Sequence, residues 1–459
     1  MGVFWQLRGF FRSEARAYLI ASLCLLVVAG LLMVPPYLTG RLVDAIVSGS
    51  LTRADLLRTL GTLVGIAVTV YVLRVLWRIF LFGASHRLAR DLRNQLYAHW
   101  TRLSAPNFRH QRIGDLMTRA TSDVDAMQMT AGEGVLATFD GLLTGVIVLA
   151  VMMTTLSWDL TLVALIPWPV AGLIMYWIGE RLHQAFAEGQ ARYSDLNELT
   201  QETLGGLRTV RGLGREALVA RRFARIARAS THASLKAARY EVLYTPLIVV
   251  VVGLSFLLSV GYGGWKISQG TFTIGQLTSF TMYLGFLIWP AFAFGWMLSI
   301  AQRGRAAWTR IQQVLAIEPA ITDSGTRAEV ERADIQASIP AFDYGEVPVL
   351  RDIRLSVPEG GVLGLTGPTG SGKTTLLRLL MRLEEAAGAE IRVGGHPLEA
   401  YRLEALRAAI AWVPQEPFLF SASVRENLLL ARPDASRADI EAATRLAAIH
   451  EDILAFPKG

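Results

Sequence analysis

Six long apolar segments occupy the N-terminal part of the chain and restrict the folds that it can adopt. A helix needs about 20 apolar residues to cross the hydrocarbon core of a bilayer. The sequence is 52% hydrophobic and only 18% charged, whereas typical soluble domains carry about 25% charged residues. These features predict a multi-pass membrane protein with six transmembrane helices. The predicted spans cover residues 18–34, 60–82, 135–157, 160–179, 246–265 and 277–300.

The first apolar segment has arginines before it, as a secretory signal peptide does. It continues to Val34 without a small-residue cleavage site, so we interpret it as a retained first span. The residues that follow, Pro35 and Pro36, stop or kink a helix. The third and fourth spans are joined only by Trp158 and Asp159, which predicts a tight hairpin.

Positive charge is concentrated in two of the loops between spans. Because loops rich in Arg and Lys face the cytoplasm, the N-terminus, both basic loops and everything after Ile300 are predicted to be cytoplasmic, in a plasma (inner) membrane. This placement accounts for most of the net charge of +7, and no nucleic-acid partner is expected. The basic residues are Arg87, Arg90, Arg93, Arg102, Arg109, Arg112 and Arg119 in the first loop, and Arg181, Arg192, Arg208, Arg211, Arg215, Arg221, Arg222, Arg225, Arg228, Lys236 and Arg239 in the second.

Both basic loops carry apolar residues at helical spacing, for example Leu88, Leu92 and Leu96. This pattern predicts that the spans continue as helices into the cytoplasm. Each extension then needs a break at its tip, and glycine relaxes a helix. The predicted breaks are residues 112–115 and 205–214.

After the sixth span the composition becomes mixed and charged, and short strands then alternate with turns. This change predicts a linker followed by an α/β domain. The fold class is therefore multi-domain: an α-helical membrane domain with long cytoplasmic extensions, then a partial α/β domain. The predicted boundaries are 1–312 for the membrane domain, 313–334 for the linker and 335–459 for the α/β domain.

The stretch GPTGSGKTT, residues 367–375, has the pattern of a P-loop, which binds nucleotide phosphates. It lies between a predicted strand, residues 361–366, and a predicted helix, residues 375–381. Glycines let backbone N–H groups converge on phosphate oxygens, and a helix N-terminus attracts the same anion. Lys373 is expected to reach the β- and γ-phosphates of ATP, and the Thr374 hydroxyl to bind Mg²⁺. The candidate phosphate-binding residues are Gly367, Pro368, Thr369, Gly370, Ser371, Gly372, Lys373, Thr374 and Thr375.

Two flanking segments carry further candidates. Tyr344, shortly before Val349, is interpreted either as an aromatic face that stacks on adenine or as a core residue beside a strand. Residues 411–413 predict a buried strand. Gln415, which follows, is interpreted either as a group that meets Mg²⁺ or the attacking water or as an ordinary loop amide.

These features together resemble the half-transporters of the ABC exporter superfamily (type I exporters, type IV fold), over essentially the whole chain. The stretches RVLWRIFLFGASHRLARDLR, RIGDLMTRATSDVDAM, TAGEGVL and LTSFTMYLGFLIWP look like the Mdl-type multidrug exporters, whose members pair as heterodimers. The first and last stretches are specific to that subgroup, whereas RIGDLMTRATSDVD is shared by exporters more widely.

The resemblance implies roles for the residues that match the family's motifs. Tyr344 is expected to stack on adenine, residues 367–375 to bind the phosphates, and Gln415, the candidate catalytic residue of this chain, to link Mg²⁺ to the membrane domain. Residues 114–116 and 213–216 are expected to lie in coupling helices.

The family also has an LSGGQ-like signature, an acidic Walker B strand with a catalytic carboxylate, and a switch histidine. None of them is found in the 459 residues, so the resemblance implies that they follow Gly459. A carboxylate is needed to orient the attacking group. ATP contact is therefore predicted for this chain, and ATP hydrolysis for the intact family member, an ABC-type ATPase and translocase.

Charged residues inside the spans are candidates for a substrate cavity. Arg74 and Arg78 share one face of the second span, and Asp140 lies early in the third. One interpretation is an ion pair between Asp140 and one of the arginines inside the cavity. The other is that all three lie near the cytoplasmic boundary, where long side chains reach water.

Aromatic residues add a second set of cavity candidates. Trp289, Phe292 and Trp296 form a stripe on the sixth span, and Pro290 is expected to kink it. The stripe either lines the cavity or contacts lipid and neighbouring helices.

The sequence thus predicts an ATP-binding exporter subunit that couples ATP binding and hydrolysis to export of amphipathic or hydrophobic, multidrug-like molecules. The expected cofactors are ATP and Mg²⁺. The expected partners are a second half-transporter, in a heterodimer rather than a homodimer, the lipid bilayer and a small amphipathic substrate. Two alternatives stay open: a regulatory half that binds ATP without hydrolysing it, and a membrane protein gated by nucleotide.

Overall fold

The computed structural model describes residues 8–109, 111–345 and 348–456. Within them the chain forms two compact units. The first unit comprises residues 8–102 and 111–318, and the second comprises Leu103–Arg109 and residues 319–456. A short segment of the first basic loop therefore belongs to the second unit.

Among the described residues, six helices are long and apolar enough to cross a membrane. This finding confirms the α-helical membrane domain of the predicted fold class. All six helices are longer than the predicted spans, because each continues into a loop region. They are α1 (Ala15–Val47), α2 (Arg53–Trp100), α3 (Ile113–Leu156), α4 (Trp158–Gly205), α5 (Glu216–Ser268) and α6 (Ile274–Leu315), and the shorter helices of this unit are Arg8–Ser13 and Leu207–Gly212.

Four of these helices have a break of one residue in the α-helical pattern, shortly before a proline. Proline has no N–H to donate to the carbonyl four residues earlier, and its ring crowds that carbonyl. The prolines interrupt the helices without ending them, so α1 continues beyond Val34 to Val47. The breaks are Met33, Ile166, Leu243 and Leu287, before Pro35, Pro167, Pro246 and Pro290 respectively.

The end of α1 is fastened to the start of α6. The Asp44 carboxylate accepts a hydrogen bond from the Gly275 N–H at 2.7 Å and another from the Thr273 hydroxyl at 2.7 Å. The carboxylate therefore satisfies an N–H group that the first turn of a helix leaves unpaired. Ser279 adds a hydrogen bond of 2.8 Å to the Pro36 carbonyl.

Helix α3 departs from regular α-helix geometry at four places. At each, five residues form a π-helical turn, whose hydrogen bonds close over one more residue than those of an α-helix. An ion pair fixes α3 to α6: Asp123, 2% exposed, accepts hydrogen bonds from Arg310 Nε at 2.9 Å and Nη2 at 2.5 Å. The π-helical segments are Arg119–Asp123, Thr130–Gly134, Ala137–Gly141 and Met152–Leu156.

The breaks at the tips of the two basic loops differ from each other. Between α4 and α5 the chain forms only the short helix Leu207–Gly212, as the glycines predict. In the first loop α3 already begins at Ile113, so the predicted break at residues 112–115 lies too late in the sequence. Gly114 does not end the helix because a glycine near its start costs little.

The second unit is built on an antiparallel sheet with the strand order β2–β1–β3–β4. Helix α7 (Lys373–Leu380) packs Leu376 and Leu379 into the same core as Ile339, which lies on the inner strand β1. The core thereby fixes the start of α7 next to the sheet. The strands are β1 (Ile335–Asp343), β2 (Pro348–Val357), β3 (Glu390–Val393) and β4 (His396–Pro397), and the other helices are Ala105–Phe108, Leu403–Ala408, Val424–Leu429, Arg437–Leu446 and His450–Leu454, with a 3₁₀ turn at Leu398–Ala400.

The α/β character of this unit is confirmed, but two predicted strands are wrong. Residues 361–366 and 411–413 are not strands, and their apolar side chains are exposed, with Val362 99% and Val413 92% accessible. A strand forms only when its backbone groups bond to a neighbouring strand. Among the described residues neither segment has such a partner.

Candidate nucleotide-binding site

The P-loop leads directly into a helix N-terminus. Gly372, the residue before α7, has a φ of +87°, which residues with a side chain rarely adopt. A Cβ at this position would lie 2.6 Å from Leu350 Cδ2 of β2. Glycine is therefore required for the loop to turn into α7 at this point, and the sequence pattern predicted this loop and helix correctly.

The Lys373 ammonium group lies within the loop. Its Nζ donates hydrogen bonds to the carbonyls of Gly367 at 2.8 Å and Pro368 at 2.9 Å, and to Ser371 Oγ at 3.1 Å. A Cβ on Gly367 would be too close to Ser371 Oγ, at 2.8 Å, and would lie 4.0 Å from Lys373 Nζ. Because glycine has no side chain, the space beside the ammonium group stays free. Phosphates are bound by cationic side chains and by the backbone N–H groups of glycine-rich loops and of helix N-termini. These residues fit the triphosphate of ATP.

The two threonines after Lys373 have different environments. Thr374 is exposed, so its hydroxyl is accessible to a ligand at the start of α7. Thr375 is buried, and its hydroxyl oxygen accepts a hydrogen bond of 3.1 Å from Tyr344 OH. This bond connects the start of α7 to the predicted adenine-stacking residue.

Tyr344 follows the end of β1 and is partly exposed. Its ring lies T-shaped against the buried Phe342, with centroids 4.9 Å apart and an angle of 87° between the planes. Phe342 on one side and the bond to Thr375 on the other fix the ring's position. A fixed, partly exposed aromatic ring can stack on a nucleobase, and Tyr344 lies close enough to the P-loop for one nucleotide to reach both.

Two residues at this ring were missed by the sequence analysis. The Arg109 guanidinium lies over the Tyr344 ring, with Cζ 4.5 Å from the centroid. Arg109 Nη2 also donates a hydrogen bond of 2.5 Å to Glu384 Oε2, and Glu384 is only 5% exposed. Nothing local distinguishes Arg109 from the other arginines of its loop, since its partners are distant in sequence.

Gln415 lies in an exposed bend after residues 411–413. Among the described residues it makes no hydrogen bond to Thr374. The chain that follows is anchored by a capping box at the start of Val424–Leu429, in which Ser423 and Glu426 bond reciprocally. The Ser423 N–H and then its hydroxyl lower the pKa of Glu426, because both hydrogen bonds favour the carboxylate.

In the membrane unit the structure pairs Asp140 differently from the sequence hypothesis. Asp140 Oδ2 accepts a hydrogen bond of 2.9 Å from Trp289 Nε1. No ion pair joins it to Arg74 or Arg78 among the residues described, and the Arg78 guanidinium lies 5.4 Å from the Trp77 ring centroid. Asp140 thus makes its direct contact with α6, and the side chains of Arg74 and Arg78 are exposed on α2.

The aromatic stripe of α6 is brought together with Asp140. Trp289 and Trp296 lie with ring centroids 6.3 Å apart, and Trp289 and Phe292 are each 44% exposed. Beside them, α3 and α6 enclose an apolar groove of about 210 Å³. The groove is lined by Ala137, Gly141, Gly145, Val146, Pro290 and Met297, among others.

Comparison with known proteins assigns the two parts of the chain to one family. Residues 18–291 match the family model for the ABC transporter transmembrane region, and residues 350–455 match the model named ABC transporter. The second match implies ATP binding.

Curated relatives align over nearly the whole chain. The chain is 41% identical over 461 residues to the multidrug resistance-like ATP-binding protein MdlA of Escherichia coli (strain K12), covering 100% of the chain and 78% of MdlA. It is 33% identical over 457 residues to the probable multidrug resistance ABC transporter ATP-binding/permease protein YheI of Bacillus subtilis (strain 168), covering 99% and 78% respectively. It is 28% identical over 465 residues to the ATP-dependent lipid A-core flippase of Syntrophus aciditrophicus (strain SB), covering 100% and 76%.

A membrane region of six apolar helices, a P-loop at the start of α7 and alignment to these relatives over nearly the whole chain all indicate the same conclusion. The chain belongs to the ABC transporter family, whose members are ATP-driven translocases.

Proposed function

We propose that the chain is one half of a dimeric exporter that uses ATP to move amphipathic or hydrophobic, multidrug-like molecules out of the cell. One observation carries this proposal: Lys373 lies within a P-loop that fits a triphosphate, in a chain with six membrane-spanning helices. The names of MdlA and YheI, both of which refer to multidrug resistance, support the substrate class.

The membrane topology is part of the proposal. We assign residues 1–312 to the membrane domain, 313–334 to a linker and 335–459 to the ATP-binding domain, with this domain and the N-terminus on the cytoplasmic side of the plasma membrane. The arginine-rich loops support the orientation. The division of the chain into compact units after residue 318 supports the order of the domains.

Within the ATP site each group has a proposed task. Lys373 and the loop backbone bind the phosphates, and Tyr344 stacks on adenine. Thr374 and Gln415 hold Mg²⁺, which neutralises phosphate charge when bound. The exposed Thr374 hydroxyl at the start of α7 supports this assignment.

The proposed substrate contacts lie between α3 and α6. Apolar pockets with few polar groups are typical of small-molecule sites. The groove and the exposed rings of Trp289 and Phe292 supply apolar surface, and Asp140 supplies a polar group bonded to Trp289. Trp296, Arg74 and Arg78 complete the proposed cavity.

The proposed partner is a second half-transporter. Resemblance of the stretches around Arg74–Arg93 and Leu277–Pro290 to the Mdl-type exporters supports a heterodimer. Mass measurement of the complex purified from cells that make the protein naturally would test this, because a second polypeptide of different mass is expected.

Transport in membrane vesicles tests the function directly. Inverted vesicles from the natural host should accumulate a cationic amphiphilic dye when MgATP is added. Replacing the chain by its Lys373→Ala variant should abolish this accumulation. Equal accumulation with both forms, at equal protein levels, would contradict the proposal.

A further inference from the structure

The ring that we assign to adenine already has an intramolecular partner. The Arg109 guanidinium lies 4.5 Å from the centroid of Tyr344, a distance at which a cation is attracted to the face of an aromatic ring. A planar guanidinium over such a ring covers one face on which a base could stack.

Arg109 is held in this position from two directions. Its side chain is tied to the buried Glu384 by the 2.5 Å hydrogen bond, and such a carboxylate needs a charged partner. Its backbone segment is held as well, because Ser104 Oγ accepts a hydrogen bond of 2.9 Å from Ile321 N–H and Asn107 Oδ1 one of 3.1 Å from Ala320 N–H. The contact is therefore built into the second unit.

We propose that Arg109 sets the affinity of the site for the base of the nucleotide by competing with adenine for the ring of Tyr344. ATP binding then requires the guanidinium to leave the ring, while the triphosphate still binds at Lys373. This inference rests on the proposed role of Tyr344 as the adenine-stacking residue.

The size of the effect follows from the two contacts. Base stacking on an aromatic side chain is stronger than an exposed cation–π contact, so adenine displaces Arg109 from the ring. Part of the free energy of adenine stacking is offset, because the contact between Arg109 and Tyr344 is broken. Removing the guanidinium should therefore strengthen ATP binding about two- to five-fold. Inorganic tripolyphosphate, which has no base, should bind equally with or without Arg109.

The test uses the purified full-length protein in lipid nanodiscs and calorimetric titration with ATP and with tripolyphosphate. The variant is Arg109→Ala combined with Glu384→Gln, so that no buried carboxylate is left unpaired. Arg102→Ala removes an exposed arginine of the same loop that has no contact with Tyr344 in the described residues, and it serves as a control that is expected to leave both dissociation constants unchanged.

The expected result is tighter ATP binding by the double variant with unchanged binding of tripolyphosphate. Unchanged or weaker ATP binding would overturn the proposal, and so would an equal gain for both ligands, which would indicate an effect of charge or folding. Tyr344→Leu separates this from the underlying assignment. If Tyr344→Leu weakens ATP binding and the double variant does not strengthen it, only the role of Arg109 fails; if Tyr344→Leu has no effect, the adenine assignment itself fails.

Discussion

The phosphate end and the base end of the nucleotide site are assembled in different ways. The phosphate end comes from one continuous stretch, residues 367–375, whose glycines and Lys373 determine its shape locally. The base end combines Arg109, Tyr344 and Glu384, which are distant from one another in the sequence. The first can be recognised from a short motif, whereas the second depends on how distant segments pack.

The strongest test of this contrast is Lys373→Ala. We expect it to weaken the binding of both ATP and tripolyphosphate by about a hundred-fold, because each hydrogen bond from a charged group contributes about 1.5–3 kcal/mol. Calorimetry on the purified chain measures both constants. A loss confined to ATP would contradict the assignment of Lys373 to the phosphate end.

A smaller effect is expected from Tyr344→Leu. Removing the ring should weaken ATP binding about ten-fold, since stacking on an aromatic side chain contributes about 1–3 kcal/mol per base. Binding of tripolyphosphate should be unchanged. A matching loss for tripolyphosphate would mean that the two ends are not separable.

The smallest effect is expected from Tyr344→Phe, which keeps the ring and removes the hydroxyl bonded to Thr375. This 3.1 Å hydrogen bond links the two ends directly. We expect ATP binding to weaken about three-fold, because a typical hydrogen bond contributes about 0.5–1.5 kcal/mol. An effect as large as that of Tyr344→Leu would show that the hydroxyl, and not the ring face, matters for the base.

The same contrast between local and distant interactions explains what could be predicted from the sequence. The six membrane helices were found because a helix pairs its backbone groups within itself, so an apolar run is sufficient evidence. The apolar sequences of residues 361–366 and 411–413 predict strands, but a strand needs a neighbouring strand to which its backbone groups can bond. Their exposure, with Val362 and Val413 almost fully accessible, reflects the lack of such a partner among the described residues.

Contacts between distant segments were the other part that the sequence did not reveal. The sequence indicates Asp140 and Trp289 separately as cavity candidates, but not as partners, because α3 and α6 meet only in the fold. The pairing of Asp123 with Arg310 was also missed, since both residues belong to charged stretches in which many partners are conceivable.

The four π-helical turns of α3 have a consequence for how its faces are arranged. Each such turn holds one surplus residue, so everything after it is rotated by about 100° relative to an uninterrupted α-helix. A helical wheel drawn from the sequence of α3 therefore misplaces the side chains beyond Asp123, by about 100° for each π-helical turn that precedes them. Deleting one residue from Ala137–Gly141 should therefore remove the surplus and leave a continuous α-helix in which Gly145 and Val146 still face the groove.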